Sequence, residues 1–232
     1  MPSFYEMLNS ISTGKILDVG TGRGQFLLTL HQHLANLGCA VGVDLLVFPE
    51  WESDRFKSLP FSFQQMDAER LQFTDNSFDL VAISESLHHL PYPEKVLSEM
   101  TRVLKPGGFF VFREVIADDR NPAQQTHTLI HQWCGKIDTA AGTYHGAPFT
   151  RAALIRLLEG CGNFNWQTWQ EADLSADPFD PDVREEQEGL LNRYLKRTVD
   201  ERLIKEADVL RRRMDQVGFL QATRLLAISV LS

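Results

Sequence analysis

Cysteine is scarce in this chain of 232 residues. There are three, Cys39, Cys134 and Cys161. Their count is odd and no pair has C-x-x-C spacing, so neither a disulfide framework nor a zinc knuckle is expected. Long apolar runs are missing as well: nothing approaches the roughly 18 apolar residues of a membrane span. The start, Met1-Pro-Ser-Phe-Tyr-Glu, has neither the basic residues nor the apolar stretch of a signal peptide. These gaps predict a cytoplasmic chain with no membrane partner. Positive charge is in deficit, with 23 Lys and Arg against 31 Asp and Glu, a net charge of −8. A body of that sign repels phosphate backbones, so nucleic acid is not an expected partner. There are no low-complexity tracts and no fixed-period repeats.

The composition that remains is that of a globular protein, 43% hydrophobic and 23% charged. The length suits one domain with an extra element, and it can bury a core without staples. Short apolar runs alternate with helical periodicity. Residues 16–20 read as a strand, 24–37 as a helix stopped by Gly38, 39–45 as a second strand and 62–66 as a third. Residues 78–84 read as a fourth strand. An amphipathic helix over 93–104 ends at Pro106-Gly107-Gly108, and a fifth strand starts at Phe109. This alternation predicts right-handed βαβ units and a mainly parallel sheet with helices on both faces. Beyond 116 the rhythm changes. Residues 117–149 are polar. Thr150 is a candidate N-cap for a helix over 150–160, and 164–169 suits a strand. Residues 177–182 read as a linker, 184–217 as one long helix or two, and 222–231 as a closing strand.

Three motifs fall at strand ends. Asp18-Val-Gly20-Thr-Gly22-Arg-Gly24 follows the first strand, where glycines let the backbone turn tightly and approach a ligand. A dinucleotide fingerprint would place glycine at 25, where Gln25 stands, and Asp18 would face a pyrophosphate with like charge. A cationic ligand suits that carboxylate better, and a nicotinamide-dependent oxidoreductase is disfavoured. Asp44 ends the second strand as either an acceptor for ribose hydroxyls or a helix N-cap. Met66-Asp67-Ala68 ends the third, as either an adenine-reading pair or a solvated turn.

In that order the motifs resemble the class I S-adenosylmethionine-dependent methyltransferases, most closely the small-molecule type that includes the ubiquinone/menaquinone biosynthesis enzymes. The resemblance spans residues 15–112. It is carried by Ile16-Leu-Asp-Val-Gly-Thr-Gly-Arg-Gly, Val41-Gly-Val-Asp, Met66-Asp-Ala-Glu, Leu71 through Asp79, Leu87-His-His-Leu and Arg102-Val-Leu-Lys-Pro-Gly-Gly. It implies a Rossmann-like α/β fold with a seven-stranded, mostly parallel sheet whose last strand is antiparallel. It also implies methyl transfer from S-adenosylmethionine to a small-molecule acceptor. Asp18, Gly20, Gly22 and Gly24 would surround the methionine part, Asp44 the ribose, Asp67 and Ala68 the adenine, and Ser84 the sulfonium, with Thr21, Leu45 and His89 also in the cofactor-binding set. A non-catalytic binding protein on the same fold is the alternative.

One domain over 1–232 is expected: a cofactor half at 15–116, an acceptor-side segment at 117–149 and a helical insertion at 171–218. Methyl transfer needs alignment more than a dedicated base, and alignment alone supplies roughly 7–11 kcal/mol. His88, His89 and Glu85 are candidates for a base, or else packing and loop-shaping residues. Glu114 is either a pocket acid or a strand-end charge. His127, His131, Trp133 and Tyr144 would line the acceptor pocket, or pack a helix. His127, His131 and Cys134 fall at i, i+4, i+7 on a helix, with His145 nearby, a set that forms a metal site or lines the acceptor pocket; no carboxylate sits at ligand spacing and the thiol is lone, so no metal is expected. Phe4 and Tyr5 either close over the cofactor or belong to a disordered terminus. Arg211-Arg212-Arg213 sits in a stretch, 184–217, with 9 basic and 8 acidic residues, which reads as a solvated face. Its apolar stripe must bury against the helix layer, the acceptor site or a second subunit, so a homodimer is one option.

Overall fold

The computed structural model describes residues 2–118 and 121–231. Seven strands form one sheet: β1 (Ser12–Val19), β2 (Asn36–Asp44), β3 (Phe61–Gln65), β4 (Phe78–Ser84), β5 (Leu104–Val115), β6 (Gln167–Glu171) and β7 (Arg224–Val230). Their spatial order is β3-β2-β1-β4-β5-β7-β6. The pairs from β3 to β5 are parallel, and β7 runs antiparallel to both β5 and β6. The fold is the Rossmann-like α/β arrangement expected from the sequence. β4 reads Phe-Asp-Leu-Val-Ala-Ile-Ser and is buried almost throughout, as a central strand covered on both faces must be.

Helices α1 (Phe4–Asn9), α2 (Gln25–His33), α3 (Asp54–Lys57), α4 (Pro93–Val103), α5 (Pro122–Ala140), α6 (Arg151–Glu159), α7 (Pro181–Leu195) and α8 (Glu201–Val217) complete the architecture. One apolar cluster joins Leu17, Val81, Phe110 and Phe112 to α4 and α6. A second joins Ile16, Leu80 and Val111 to α1 and α2 on the opposite face. The alternation of neighbouring residues between clusters is the period-2 signature of a sheet with two buried faces.

Several boundaries differ from the sequence reading. Gly38 does not stop α2. The helix ends at His33, and Asn36 already pairs with Ser12, so Gly38 lies inside β2. β5 starts at Leu104, and Pro106-Gly107-Gly108 sits in an irregular stretch where the pairing slips between Phe78 and Leu80. Residues 177–182 are not all linker, because Asp180 caps α7 and accepts from the Asp182 and Val183 amides. The 184–217 stretch is two helices. Thr150 does cap α6, its Oγ1 accepting from the Ala153 amide.

The largest departure lies in 117–149, within which residues 119 and 120 fall outside the described residues. The helix expected around His127, His131 and Cys134 is α5, nineteen residues long and capped by the Asn121 side chain. α5, α7 and α8 enclose a third apolar cluster, with Ile130, Trp133, Cys134 and Ile137 packed against Leu191, Ala207, Leu210 and Met214. The apolar stripe of 184–217 is therefore covered within the chain. The N-terminus is ordered by a capping box between Ser3 and Glu6. Phe4 is buried edge-on against Trp169, and the Tyr5 hydroxyl donates to Glu171 at 2.7 Å.

Candidate functional site

The C-terminal edge of the parallel strands gathers the motif residues. After β1 the chain turns through Gly20 and Gly22, at φ +66° and +50°. A Cβ on Gly20 would lie 2.6 Å from the Ser86 side chain, whose hydroxyl donates to the Gly20 carbonyl at 2.8 Å. The same Cβ on Gly22 would meet nothing within 4 Å. The first glycine thus packs the loop against the end of β4, and the second leaves open space above the loop.

Asp18 sits beneath this turn, 1% exposed. Its Oδ2 accepts from the Thr21 hydroxyl at 2.7 Å, and its Oδ1 has no partner. Burial pushes its carboxyl up to about 7, opposed by the Thr21 hydrogen bond and assisted by the nearby charge of Asp44. Asp44 is half-buried at the end of β2. One oxygen accepts from the Gly22 amide at 2.9 Å and the other from the Leu46 amide at 3.0 Å. It holds the glycine loop to β2, and each oxygen keeps a second lone pair. Leu45, Leu46 and Val47 follow, each roughly two-thirds exposed, an apolar floor open to solvent. Asp67 is exposed after β3, with Oδ1 accepting from the Glu69 amide. Its neighbour Ala68 packs partly into the core.

At the end of β4, Ser84 is half-buried and its carbonyl accepts from the Ser86 hydroxyl. Glu85 follows at φ +49°, a conformation a side chain rarely adopts. Burial works against its ionisation, but Arg224 and Arg113 outweigh it and hold the carboxyl below its ordinary range. Its Oε1 pairs with Arg224 Nε and lies 3.2 Å from an Arg113 nitrogen.

A single turn of tight helix, Leu87–His89, then presents two imidazoles. His88 is buried, and its Nδ1 lies 2.8 Å from Glu114 Oε1. Glu114, fully buried, also accepts from the Leu87 and Val115 amides. On the other side His145 Nδ1 lies 2.7 Å from Asp138 Oδ2. Asp138 further accepts from the Tyr194 hydroxyl at 3.0 Å and pairs with Arg197 at 2.6 Å. Between them His131 Nε2 lies 3.1 Å from His88 Nε2 and 3.3 Å from His145 Nε2. His89 lies at the exposed rim, its ring 4.1 Å from that of His145. Burial pushes the His131 imidazole down to about 2, with His88 and His145 adding to the effect.

Residues 17–112 match the model of the methyltransferase domain family. The chain carries a methyltransferase domain. The ubiquinone/menaquinone biosynthesis C-methyltransferase of Bdellovibrio bacteriovorus is 33% identical over 97 residues, 40% of this chain and 41% of that protein. The malonyl-acyl-carrier-protein O-methyltransferase of a Marinomonas species is 41% identical over 99 residues, 42% of this chain and 36% of that protein. The chain thus spans half or less of the length of such curated relatives, and the likeness is concentrated in the methyltransferase domain. In structure, the YcgJ protein of Bacillus subtilis covers 97% of this chain, and 95% of its own, with a TM-score of 0.65 at 16% identity, which shows a shared fold.

The methyltransferase domain brings Asp18, Thr21, Gly20, Gly22, Gly24 and Asp44 into one cluster around the loop, and places Ser84 and His89 beyond it at the end of β4. The acceptor-side residues divide. Glu114 is not a strand-end charge but the buried partner of His88. His131 joins the imidazole cluster, and Tyr144, half-exposed, lies on the turn just before His145. Trp133 does not line a pocket. It is 1% exposed, its indole N–H donates to the Leu203 carbonyl at 2.9 Å, and it fills the core between α5 and α8, because position 133 faces α8 and not the sheet. His127 accepts at Nδ1 from the Ala222 amide at 2.7 Å, which ties α5 to the approach of β7. Cys134 lies in the same core as Trp133, its thiol pushed up to about 12 by burial and by Asp138. Sequence reasoning missed Ser86, Asp138, Tyr194 and Arg197. Only Ser86 had a local signal, its place two residues past the end of β4.

Proposed function

We propose that this protein transfers a methyl group from S-adenosylmethionine to a small-molecule acceptor. The observation that carries the reading is the unpartnered oxygen of Asp18. A buried carboxylate oxygen without a partner costs free energy until a donor reaches it. It lies beneath a glycine turn with open space above, where the ammonium of an amino-acid moiety supplies charge and hydrogen bonds together. The free lone pairs of Asp44 suit ribose hydroxyls, and the exposed Leu45–Val47 run suits the face of an adenine.

The cofactor supplies an activated methyl on a sulfonium. The chain's own residues would hold and aim it. Asp18 and the loop fix the amino-acid end, Asp44 fixes the ribose, and Asp67 with the Ala68 amide borders the base. Ser84, Glu85 and Ser86 close the edge where β4 ends. Glu85 is committed to Arg113 and Arg224, so its role is to lock that edge and not to accept a proton. The acceptor side is bordered by the imidazole cluster.

A cytoplasmic location is supported by the three free thiols, as fits a reducing compartment. Reading the arginine run as a solvated face and not a nucleic-acid patch is supported by its pairing. Arg211 bonds Glu188, Asp208 and Asn192, and Arg213 bonds Thr126 and the Pro122 carbonyl.

Calorimetry with S-adenosylmethionine and with NAD tests the cofactor. Saturable binding of the first and none of the second is expected. In Asp44→Ala, loss of charged hydrogen bonds to the ribose should weaken binding about 10- to 100-fold. Tight NAD binding without S-adenosylmethionine binding overturns the reading, and unchanged affinity in Asp44→Ala overturns the ribose assignment.

A further inference from the structure

We propose that His88, His89, His131 and His145 form a binding site for one divalent transition-metal ion of the zinc class. Each offers one ring nitrogen, and these four atoms lie within 4.8 Å of one another. A tetrahedral ion with bonds of about 2.0–2.1 Å separates its nitrogen ligands by about 3.3 Å along each edge. The two measured Nε2 separations, 3.1 and 3.3 Å, already match that edge.

The carboxylates behind the cluster fix which nitrogens are free. Glu114 accepts from two backbone amides, and Asp138 from Tyr194 and Arg197, so both face the imidazoles as acceptors. His88 and His145 must then carry their protons on Nδ1, and their Nε2 lone pairs both point inward. His131 Nε2 faces both and has at most one proton to share between them. A cation among three converging nitrogens satisfies all of them at once. A carboxylate behind a ligating imidazole is also the usual outer shell of a zinc site, where it sets the tautomer and raises ligand basicity. Here two of the four histidines have one. An all-imidazole set suits zinc and its borderline neighbours and not magnesium or calcium.

The elements make the site long-range. His88 and His89 come from the turn after β4, His131 from α5, and His145 from the loop before α6. Arg197 and Tyr194 of α7 and its C-terminal turn steady Asp138. The helical spacing of His127, His131 and Cys134 contains only one member of this set, His131. His89 is the exposed ligand, so one edge faces solvent. On the methyl-transfer reading, on which this last point rests, that edge lies on the acceptor side, where the charge of the ion would favour the ionised form of a nearby acceptor hydroxyl or thiol.

The test uses the full chain without a histidine tag, stripped by chelator. Zinc chloride titrated by calorimetry should bind at one equivalent, and cobalt(II) should give the intense visible bands of a tetrahedral ion. His131→Ala and His145→Ala should each weaken zinc at least 100-fold, Asp138→Asn about 10- to 100-fold, and His31→Ala, on α2, not at all. Absence of one-to-one binding overturns the proposal, as does zinc affinity unchanged in the two alanine variants. Should those variants fail to fold by circular dichroism, the wild-type cobalt spectrum decides, and a weak octahedral spectrum overturns it. S-adenosylmethionine is titrated into the same metal-free chain. Its failure to bind would sink the methyl-transfer reading and leave the metal result standing.

Discussion

Asp18 is the residue whose energetics conflict most plainly between folding and binding. Its folded pKa, about 7, lies above the ordinary value of 3.8. The folded chain therefore holds this proton more tightly than the unfolded one. The sign follows: this group's contribution to stability is largest below about pH 4, declines as pH rises to about 7, and stays low above that. A ligand ammonium wants the opposite, an ionised carboxylate. Asp18→Asn removes the conflict. At pH 8.5 the ligand-free variant should melt several degrees above the wild type, the advantage amounting to at most about 4 kcal/mol, and at pH 4.5 the advantage should shrink to about 1 kcal/mol. S-adenosylmethionine affinity of the wild type should rise with pH through 7, while the variant should bind at least tenfold more weakly with no such slope. Thermal melts and calorimetry at three pH values check both halves. A variant that melts lower at pH 8.5 and binds normally would show that Asp18 is a structural acceptor. Glu85, at φ +49°, is held at the same site: a left-handed glutamate persists only where its surroundings over-determine it, here two arginines at the rim.

At the scale of elements, α5 decides how far the acceptor side can be understood. One face of it carries His131 toward the sheet, and the other buries Trp133 against α8. Trp133→Ala should therefore cost about 3–5 kcal/mol in urea unfolding, as for other buried aromatic truncations, with cofactor affinity in the folded fraction unchanged. A large loss of cofactor or acceptor binding with intact stability would restore Trp133 to the pocket. The strands up to β5, with α2 and α4, were legible in the sequence because their signals are local: apolar runs such as 78–84, glycines just past β1, and acids at strand ends. Asp18 and Asp44 were legible for the same reason. The full length of α5 was not, since its apolar face is narrow and only the spacing of His127, His131 and Cys134 marked it. Nor was the imidazole cluster, whose members are 43 and 14 residues apart along the chain at the measured contacts and meet only through the packing of α5 on the sheet. Gly38 shows the converse. A glycine after a helical stretch reads as a stop, yet pairing with β1 had already claimed Asn36 for β2.

For the whole molecule, the question is whether the hairpin of α7 and α8 is an appendage or part of a single domain. Its ends meet: the Phe219 amide donates to the Pro178 carbonyl at 2.8 Å, so residues 179–218 can be excised and the chain rejoined with a short turn. Geometry permits the deletion, and energetics oppose it. Excision would expose Ile130, Trp133 and Ile137, each worth about 1.5–3 kcal/mol when buried, hence roughly 5–9 kcal/mol in sum. That rivals the 5–15 kcal/mol by which a typical domain is stable. It would also remove Tyr194 and Arg197 from Asp138, and with them the support of His145. We propose that the chain is one cooperative unit, and the deletion should then lack a cooperative urea transition and bind S-adenosylmethionine at least tenfold more weakly. Solubility alone does not discriminate, so the readouts are the transition and the affinity. A deleted chain that unfolds cooperatively and binds the cofactor with wild-type affinity would make the hairpin a separable insertion, and the cluster on α5 a seam between two units.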